Sequence, residues 1–189
     1  MTEPAPVIRP VGPDNFADLA RLFEARGGPS LCWCMVWRDK PKAATEGVPA
    51  ARKAARKSAM QATVGRGVPV GLLAYHGADP VGWCAVGPRE SLRSIGGPAP
   101  AFPVAPGSVW TISCFFVPRQ QRGQGISAAL LKAAITQARS QGARLIEASP
   151  VEPDAPSYRF MGFVSQFHAA GFTMIGMAGA RRHVMTLTL

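Results

Sequence analysis

Acidic residues are scarce in this 189-residue chain: 11 Asp and Glu stand against 21 Lys and Arg, for a net charge of +10. None lies between positions 91 and 146, a stretch that carries Arg93, Arg119, Arg122, Lys132, Arg139 and Arg144. Such a surplus favours anionic partners: nucleic acid, anionic lipid or a phosphate-bearing cofactor. Long apolar runs are missing as well. No stretch approaches the ~20 residues that a membrane-crossing helix needs, so no membrane partner is expected. The N-terminus, MTEPAPVIRP, lacks the charged-then-apolar layout of a secretory signal, which makes a cytoplasmic location the default expectation. Metal-ligand patterns are also absent. Cys32, Cys34, Cys84 and Cys114 match no zinc spacing, and the nearest His to the Cys32/Cys34 pair is His76, so no metal is expected. Cys84 and Cys114 sit in apolar strands and read as small, reduced core residues. A hydrophobic fraction of 47% with 17% charged residues excludes a disordered chain and suits one domain over residues 1–189.

The stretch around which the rest is organised is residues 109–142. Residues 109–117 are rich in β-branched and aromatic side chains, and Pro118, with no N–H to donate, ends that strand. From Ile126 the period changes. Ile126, Leu130, Leu131, Ala134, Ile135 and Ala138 recur at helical spacing, and Gly142 stops the helix. Between strand and helix lies Gln120-Gln121-Arg122-Gly123-Gln124-Gly125. The two glycines permit backbone angles that other residues resist. The N–H groups of the first helical turn have no intrahelical partner, and with the positive end of the helix dipole they suit a phosphate. Arg119 and Arg122 add charge. The motif is neither G-x-x-x-x-G-K-[ST] nor a complete G-x-G-x-x-G.

Q-x-x-G-x-G directly after a V-x-P strand end resembles the acyl-CoA pyrophosphate loop, [QR]-x-x-G-x-[GA], of the GNAT family of N-acetyltransferases. The resemblance extends along the chain. Residues 68–74 and 81–86 read as a hairpin around His76-Gly77-Ala78-Asp79-Pro80, and "P-V-G" is frequent in the hairpin of that family. Residues 160–172 end in "A-G-F", like the family's short fourth helix. The CWCMVWR stretch at 32–38, together with VWTISCFFV, is similar to one subgroup of the family. The implied fold is α/β (α+β): a mixed, mostly antiparallel sheet of about six or seven strands, splayed between strands four and five and flanked by helices. The implied cosubstrate is acetyl-CoA. Its pyrophosphate would lie on the amides of Gln121, Arg122, Gly123, Gln124, Gly125, Ile126 and Ser127. Its pantetheine arm would pair, as a strand does, with the main chain of Phe115, Phe116 and Val117. A bulge between the splayed strands would aim an N–H at the thioester oxygen.

The remaining elements follow in order. Residues 7–11 suit a first strand. A helix follows from Pro13-Asp14, with Phe16, Leu19, Ala20 and Phe23 on one face and Gly27-Gly28 closing it. Residues 31–38 pack two thiols, two indoles and a guanidinium together. They fit either a buried plug or an acceptor-pocket wall using Trp33 and Trp37; a metal or redox pair is a third reading. Residues 39–49 are a polar linker. Residues 50–64 suit a helix whose stripe of Arg52, Lys53, Arg56 and Lys57 is a solvated face or an anion-facing patch. Residues 88–108, with prolines at 88, 98, 100, 103 and 106, form a long loop leading into the cofactor strand and placed to cover part of an acceptor site. Strands are expected at 144–148, 173–176 and 182–189.

The implied reaction is attack of an amine on the acetyl-CoA thioester within a ternary complex. A lysine-like amine has a pKa of about 10.4 and needs a base. Glu147 at the end of strand five, the only carboxylate between 91 and 151, is the first candidate base and part of the acceptor site. Glu90 is the second. Many relatives place a Tyr on the fourth helix to protonate the leaving thiolate; here that position is Phe167. Ser165 is then the candidate acid, with Tyr158 as the alternative. The competing readings are a non-catalytic acyl-CoA-binding or sensor protein and a nucleic-acid binder. No nucleic-acid motif is present, so no specific nucleic-acid partner is expected. The acceptor is expected to be a small-molecule amine of undefined identity, and a homodimer is one assembly the sequence allows.

Overall fold

The computed structural model describes residues 5–98 and 105–189. Its strands and helices follow in the order β1 (Val7–Pro10), α1 (Phe16–Glu24), α2 (Pro49–Gly65), β2 (Leu72–His76), β3 (Asp79–Pro88), β4 (Val109–Phe116), α3 (Ile126–Ser140), β5 (Leu145–Ala148), α4 (Val164–Ala169), β6 (Thr173–Ala178) and β7 (Arg182–Thr188). Together the strands form one seven-stranded sheet in the order β1-β2-β3-β4-β5-β7-β6. All neighbours are antiparallel except β4 and β5. That exception has a simple cause. A tight turn can only return a strand antiparallel, whereas α3 carries the chain back over the sheet so that β5 starts beside the start of β4.

Period-two alternation sorts the side chains onto two faces. Leu72, Ala74, Cys84, Val86, Trp110, Ile112 and Ile146 meet α3 on one face. Leu73, Tyr75, Trp83 and Ala85 meet α1 and α2 on the other. Helix α3 buries Ile126, Leu130, Leu131, Ala134 and Ala138; each of the large ones contributes about 1.5–3 kcal/mol. The helix lies close because Gly82 faces it. A Cβ at Gly82 would stand 2.6 Å from Ile126 Cγ2, so a larger residue there would push α3 off the sheet.

The hairpin differs from the sequence expectation. Strand β2 begins at Leu72 and runs on to His76, the turn narrows to Gly77 and Ala78, and Asp79 and Pro80 belong to β3. A register shift between Ala74 and Tyr75, which pair with Gly82 and Pro80, accommodates the proline at a bulge, where a missing donor disrupts the ladder least. In α2, half of the basic stripe is structural. Arg56 Nε donates to the Ala44 carbonyl at 2.9 Å, and Lys57 pairs with Glu24 at 3.0 Å.

Trp33 is the plug. It has 0% exposure, its ring centroid lies 5.3 Å from that of Phe23 and 6.1 Å from that of Phe16, and it lines none of the cavities described below. The expectation that Trp33 walls an acceptor pocket is therefore corrected: its indole is core. The turn that delivers it holds Trp33 and Cys34 at φ 49° and 50°, a left-handed conformation that costs non-glycine residues on the order of 1–2 kcal/mol. Trp83 Nε1 donates to Cys34 Sγ at 3.1 Å, and buried Arg38 donates to the Ser91 hydroxyl and carbonyl and to the Val70 carbonyl. These contacts, with the indole packing, hold the strained turn on the sheet.

Candidate active site

Where β4 leaves its partner, the site begins. β4 pairs with β5 only from Val109–Leu145 to Ile112–Ala148, yet continues to Phe116. On its other side β4 pairs Cys114 with Ala85 and Ile112 with Val86, so Ser113 is an extra residue. This bulge falls where β4 and β5 part. It bends the strand and turns main-chain groups out of the ladder.

Beyond Pro118 a short 3-10 turn at Arg119–Gln121 leads to α3. The Gln121 amide donates to the Pro118 carbonyl at 2.9 Å and the Arg122 amide to the Arg119 carbonyl at 3.4 Å. Those two amides are spent within the turn, which corrects the expectation that the anion-binding set starts at Gln121. The first helical bond runs from the Ala129 amide to the Gly125 carbonyl at 3.0 Å. From Gly123 to Ala128 no amide has an internal acceptor among the described residues. Gly123 and Gly125 have φ of 80° and 75°, and a Cβ on either would meet nothing within 4 Å. The glycines are thus required by backbone conformation, not by crowding within the chain.

These amides open onto a cavity of about 520 Å³, bounded by Phe115, Phe116 and Val117 on β4, by Gln121, Gly123, Gly125 and Ser127 on the loop and α3, and by Phe160, Phe163 and Gln166 on the far wall. Arg122 and Arg159 stand at its margin. Arg122 is turned back, its Nε donating to the Val117 carbonyl at 3.1 Å, and Gln124 lies outside the wall with its amide toward the Gln120 carbonyl. Ile126 buries its side chain in the core between α3 and the sheet and offers its amide. Gln166 Nε2 donates to Ser127 Oγ at 2.9 Å, tying α4 to α3 across the cavity. Orphaned amides, marginal guanidiniums and a free strand edge form a donor set that fits a diphosphate with an extended amide-bearing arm.

A second cavity, of about 300 Å³, lies beside the first. Phe115, Phe116 and Phe160 line both. Its remaining wall is Pro29, Cys32, Cys34, Val36 and Trp37 from the loop after α1, with Ser113 and Cys114 from the bulge. Trp37 therefore stands in a cavity wall where Trp33 does not. Arg182 lies over the Trp37 ring at 5.1 Å and over the Tyr158 ring at 5.0 Å.

Glu147 borders a third cavity of about 460 Å³, together with Arg89, Glu90, Arg93, Thr111 and Ser149. It is 7% exposed. Thr111 Oγ1 donates to its Oε1 at 2.7 Å, and Arg89 reaches its Oε2 at 2.7 Å. Burial pushes its pKa above the ordinary carboxylate value, against the opposing pull of Thr111 and Arg89. Glu90 is exposed, and its carboxylate accepts the Gly107 amide at 2.6 Å. The loop expected to cover this side is described only in part; residues 99–104 lie outside the described residues.

The candidate acid fails on position. Ser165 is on the exposed side of α4 and lines none of the three cavities. Tyr158 lines none of them either. Phe167 is fully buried, edge-on to Phe115 at 6.2 Å and to Phe172 at 5.1 Å. Sequence reasoning missed Gln166, Phe160 and Phe163, whose place in the wall has no local signature. It also missed Thr111 and Arg89, which hold Glu147. Thr111 could have been found from the parallel pairing, which sets it opposite Glu147.

The fold agrees with what the comparisons find. The model of the "Acetyltransferase (GNAT) family" matches residues 29–163, more than half of the chain, and the chain belongs to that family. Among solved structures, PaiA N-acetyltransferase from Thermoplasma acidophilum, in complex with coenzyme A, superposes with a TM-score of 0.59 at 12% identity, covering 98% of this chain and 100% of that one. YncA from Salmonella typhimurium, a putative acetyltransferase solved with its cofactor acetyl-CoA, gives 0.53 at 19% identity over 98% and 95% of the two chains. An acetyltransferase from Thermus thermophilus gives 0.57 at 18% identity over the whole of both. No curated protein matches the sequence significantly.

Proposed function

We propose that the chain is an acetyl-CoA-dependent N-acetyltransferase that moves an acetyl group to a primary amine by direct attack in a ternary complex. One observation carries the reading: within a run of unpartnered amides, Gly123, Gly125, Ile126 and Ser127 line the same cavity as the unpaired end of β4. The amides would hold a diphosphate and the strand edge a pantetheine arm, and the Ser113 bulge lies on the same strand in the wall of the neighbouring cavity. Acetyl-CoA supplies the activated acetyl group. The chain's own part is to hold it and to remove a proton from the attacking nitrogen.

Glu147 is the proposed base. Its raised pKa moves it toward the range where a base works at neutral pH, and such a group contributes roughly 10²–10⁴-fold. Arg89 and Thr111 fix its carboxylate and keep it ionised. No acid is assigned to the leaving thiolate. A thiol with a pKa of about 8.5 leaves unaided at moderate cost. Free-thiol release from acetyl-CoA, measured with a panel of primary amines and alongside CoA binding, tests the reading. Amine-dependent release with stoichiometric N-acetyl product supports it. Tight CoA binding with no release for any amine would make the protein a binding module, and no CoA binding would remove both.

A further inference from the structure

The cavity beside the cofactor site differs from the other two in chemistry. No Asp, Glu, Lys, Arg or His side chain lines it among the described residues. Its walls are aromatic and aliphatic, with three thiols, Cys32, Cys34 and Cys114, the middle one in contact with the other two. Thiols of this kind act as small, polarizable apolar groups. The bond to a neighbouring thiol, and burial after it, push the Cys32 and Cys34 thiols up, so they stay uncharged.

Guanidiniums lie against the segment that forms this wall. Arg93 donates to the Val36 carbonyl, Arg56 to the Leu31 carbonyl, and Arg182 covers the Trp37 ring. A polycation brought here would lose hydration, find no carboxylate in the wall and approach a segment already held by Arg93 and Arg182. Each of these disfavours it. A single amine on an apolar body meets a different balance. Its body exchanges water for Val36, Trp37 and Phe116, while the surroundings disfavour its ammonium form and lower its pKa toward the neutral nucleophile. The amine end is placed on the Ser113 side, where the cavity shares Phe115, Phe116 and Phe160 with the cofactor cavity. Glu147 lines a different cavity, opposite Thr111 two residues back along β4, so it takes the amine proton through water.

We infer that this cavity selects the acceptor: a primary amine on a flat apolar group with no second charge, of the arylalkylamine class, in preference to polyamines and amino acids. The inference rests on the acetyltransferase reading for its chemistry, but occupancy of the cavity can be read without it.

The test has two arms on the full-length protein. In the first, kcat/KM is compared for 2-phenylethylamine, spermidine and glycine by thiol release. The expected result is a preference of at least about 100-fold for 2-phenylethylamine, the discrimination that a buried, unpaired charge commands. Val36→Asp places a carboxylate in the wall at a position 40% exposed, and should shift the preference toward spermidine by about tenfold or more. In the second arm, N-ethylmaleimide labelling of Cys114 is followed by mass spectrometry without acetyl-CoA. Saturating 2-phenylethylamine should slow labelling several-fold, and spermidine should not. Turnover that favours spermidine or glycine overturns the inference and leaves the acetyltransferase reading standing. Equal labelling with and without 2-phenylethylamine overturns it too. Loss of acetyl-CoA binding would strike the enzyme reading, while the labelling arm still decides what the cavity holds.

Discussion

The cavity proposed for the cofactor and its neighbour share three rings but are built in opposite ways. The first is a backbone site. Its decisive groups are main-chain amides and a strand edge, supplied largely by one continuous stretch from β4 into α3. The second is a side-chain site, assembled from the loop after α1, the bulge in β4 and Phe160. A backbone site tolerates any side chain that keeps the right dihedral angles, which is why two glycines mark it. A side-chain site is defined by what meets in space, and its residues carry no common spacing.

Four substitutions break or sharpen that contrast. The largest effect is expected at Glu147, outside both cavities. Glu147→Gln should lower kcat by about 10²–10⁴-fold with little change in acetyl-CoA affinity. The base works only when ionised, so activity falls as pH drops through its raised pKa. The acid limb of the pH–rate profile should therefore lie above the ordinary carboxylate range in the wild type and vanish in the variant. An unshifted limb in both would remove Glu147 from the chemistry. Trp33→Ala should cost about 3–5 kcal/mol in chemical denaturation, as expected for a buried indole. Unchanged stability with a raised acceptor KM would return Trp33 to the pocket wall.

Gly125→Trp tests the backbone site. At φ 75° any side chain is strained, and an indole there would disturb the loop that lines the cavity. Acetyl-CoA affinity measured by calorimetry should fall by about 100-fold, equivalent to about 2.7 kcal/mol, with the far-UV spectrum retained. Undiminished affinity would show that these amides are not the diphosphate site. The smallest effect is expected from Phe167→Tyr, which restores the hydroxyl many relatives have. Phe167 is packed against Phe115 and Phe172, and its Cε2 stands 2.8 Å from where a Cβ on Gly162 would be. The added hydroxyl should destabilise the protein by about 1–3 kcal/mol without raising kcat. A gain in kcat would place a catalytic acid there after all.

Sequence periodicity was enough for β4, α3 and α1, because a helix or strand that buries one face must repeat apolar residues at its own period. It was poorer for β2 and β3. There Val68 and Pro80 misled in opposite directions: a β-branched residue suggested strand where the chain is still a connection, and a proline suggested a turn where a bulge accommodates it. Ser165 illustrates a harder failure. One step along a six-residue helix separates the exposed Ser165 from Gln166, which reaches the cavity. Helical phase on so short a segment is set by the docking of Phe167 on Phe115 and Phe172 and not by its own pattern.

By itself the sequence determined the two-glycine loop, the strand before it and the helix after it, because those features depend on residues adjacent in the chain and on dihedral angles that glycine alone takes freely. Only the tertiary structure decided which of two neighbouring tryptophans is core and which is wall, which amides remain free, and that Thr111 and Arg89 hold Glu147. Those outcomes turn on contacts between segments far apart in the chain, where a rotation of one residue exchanges inside for outside.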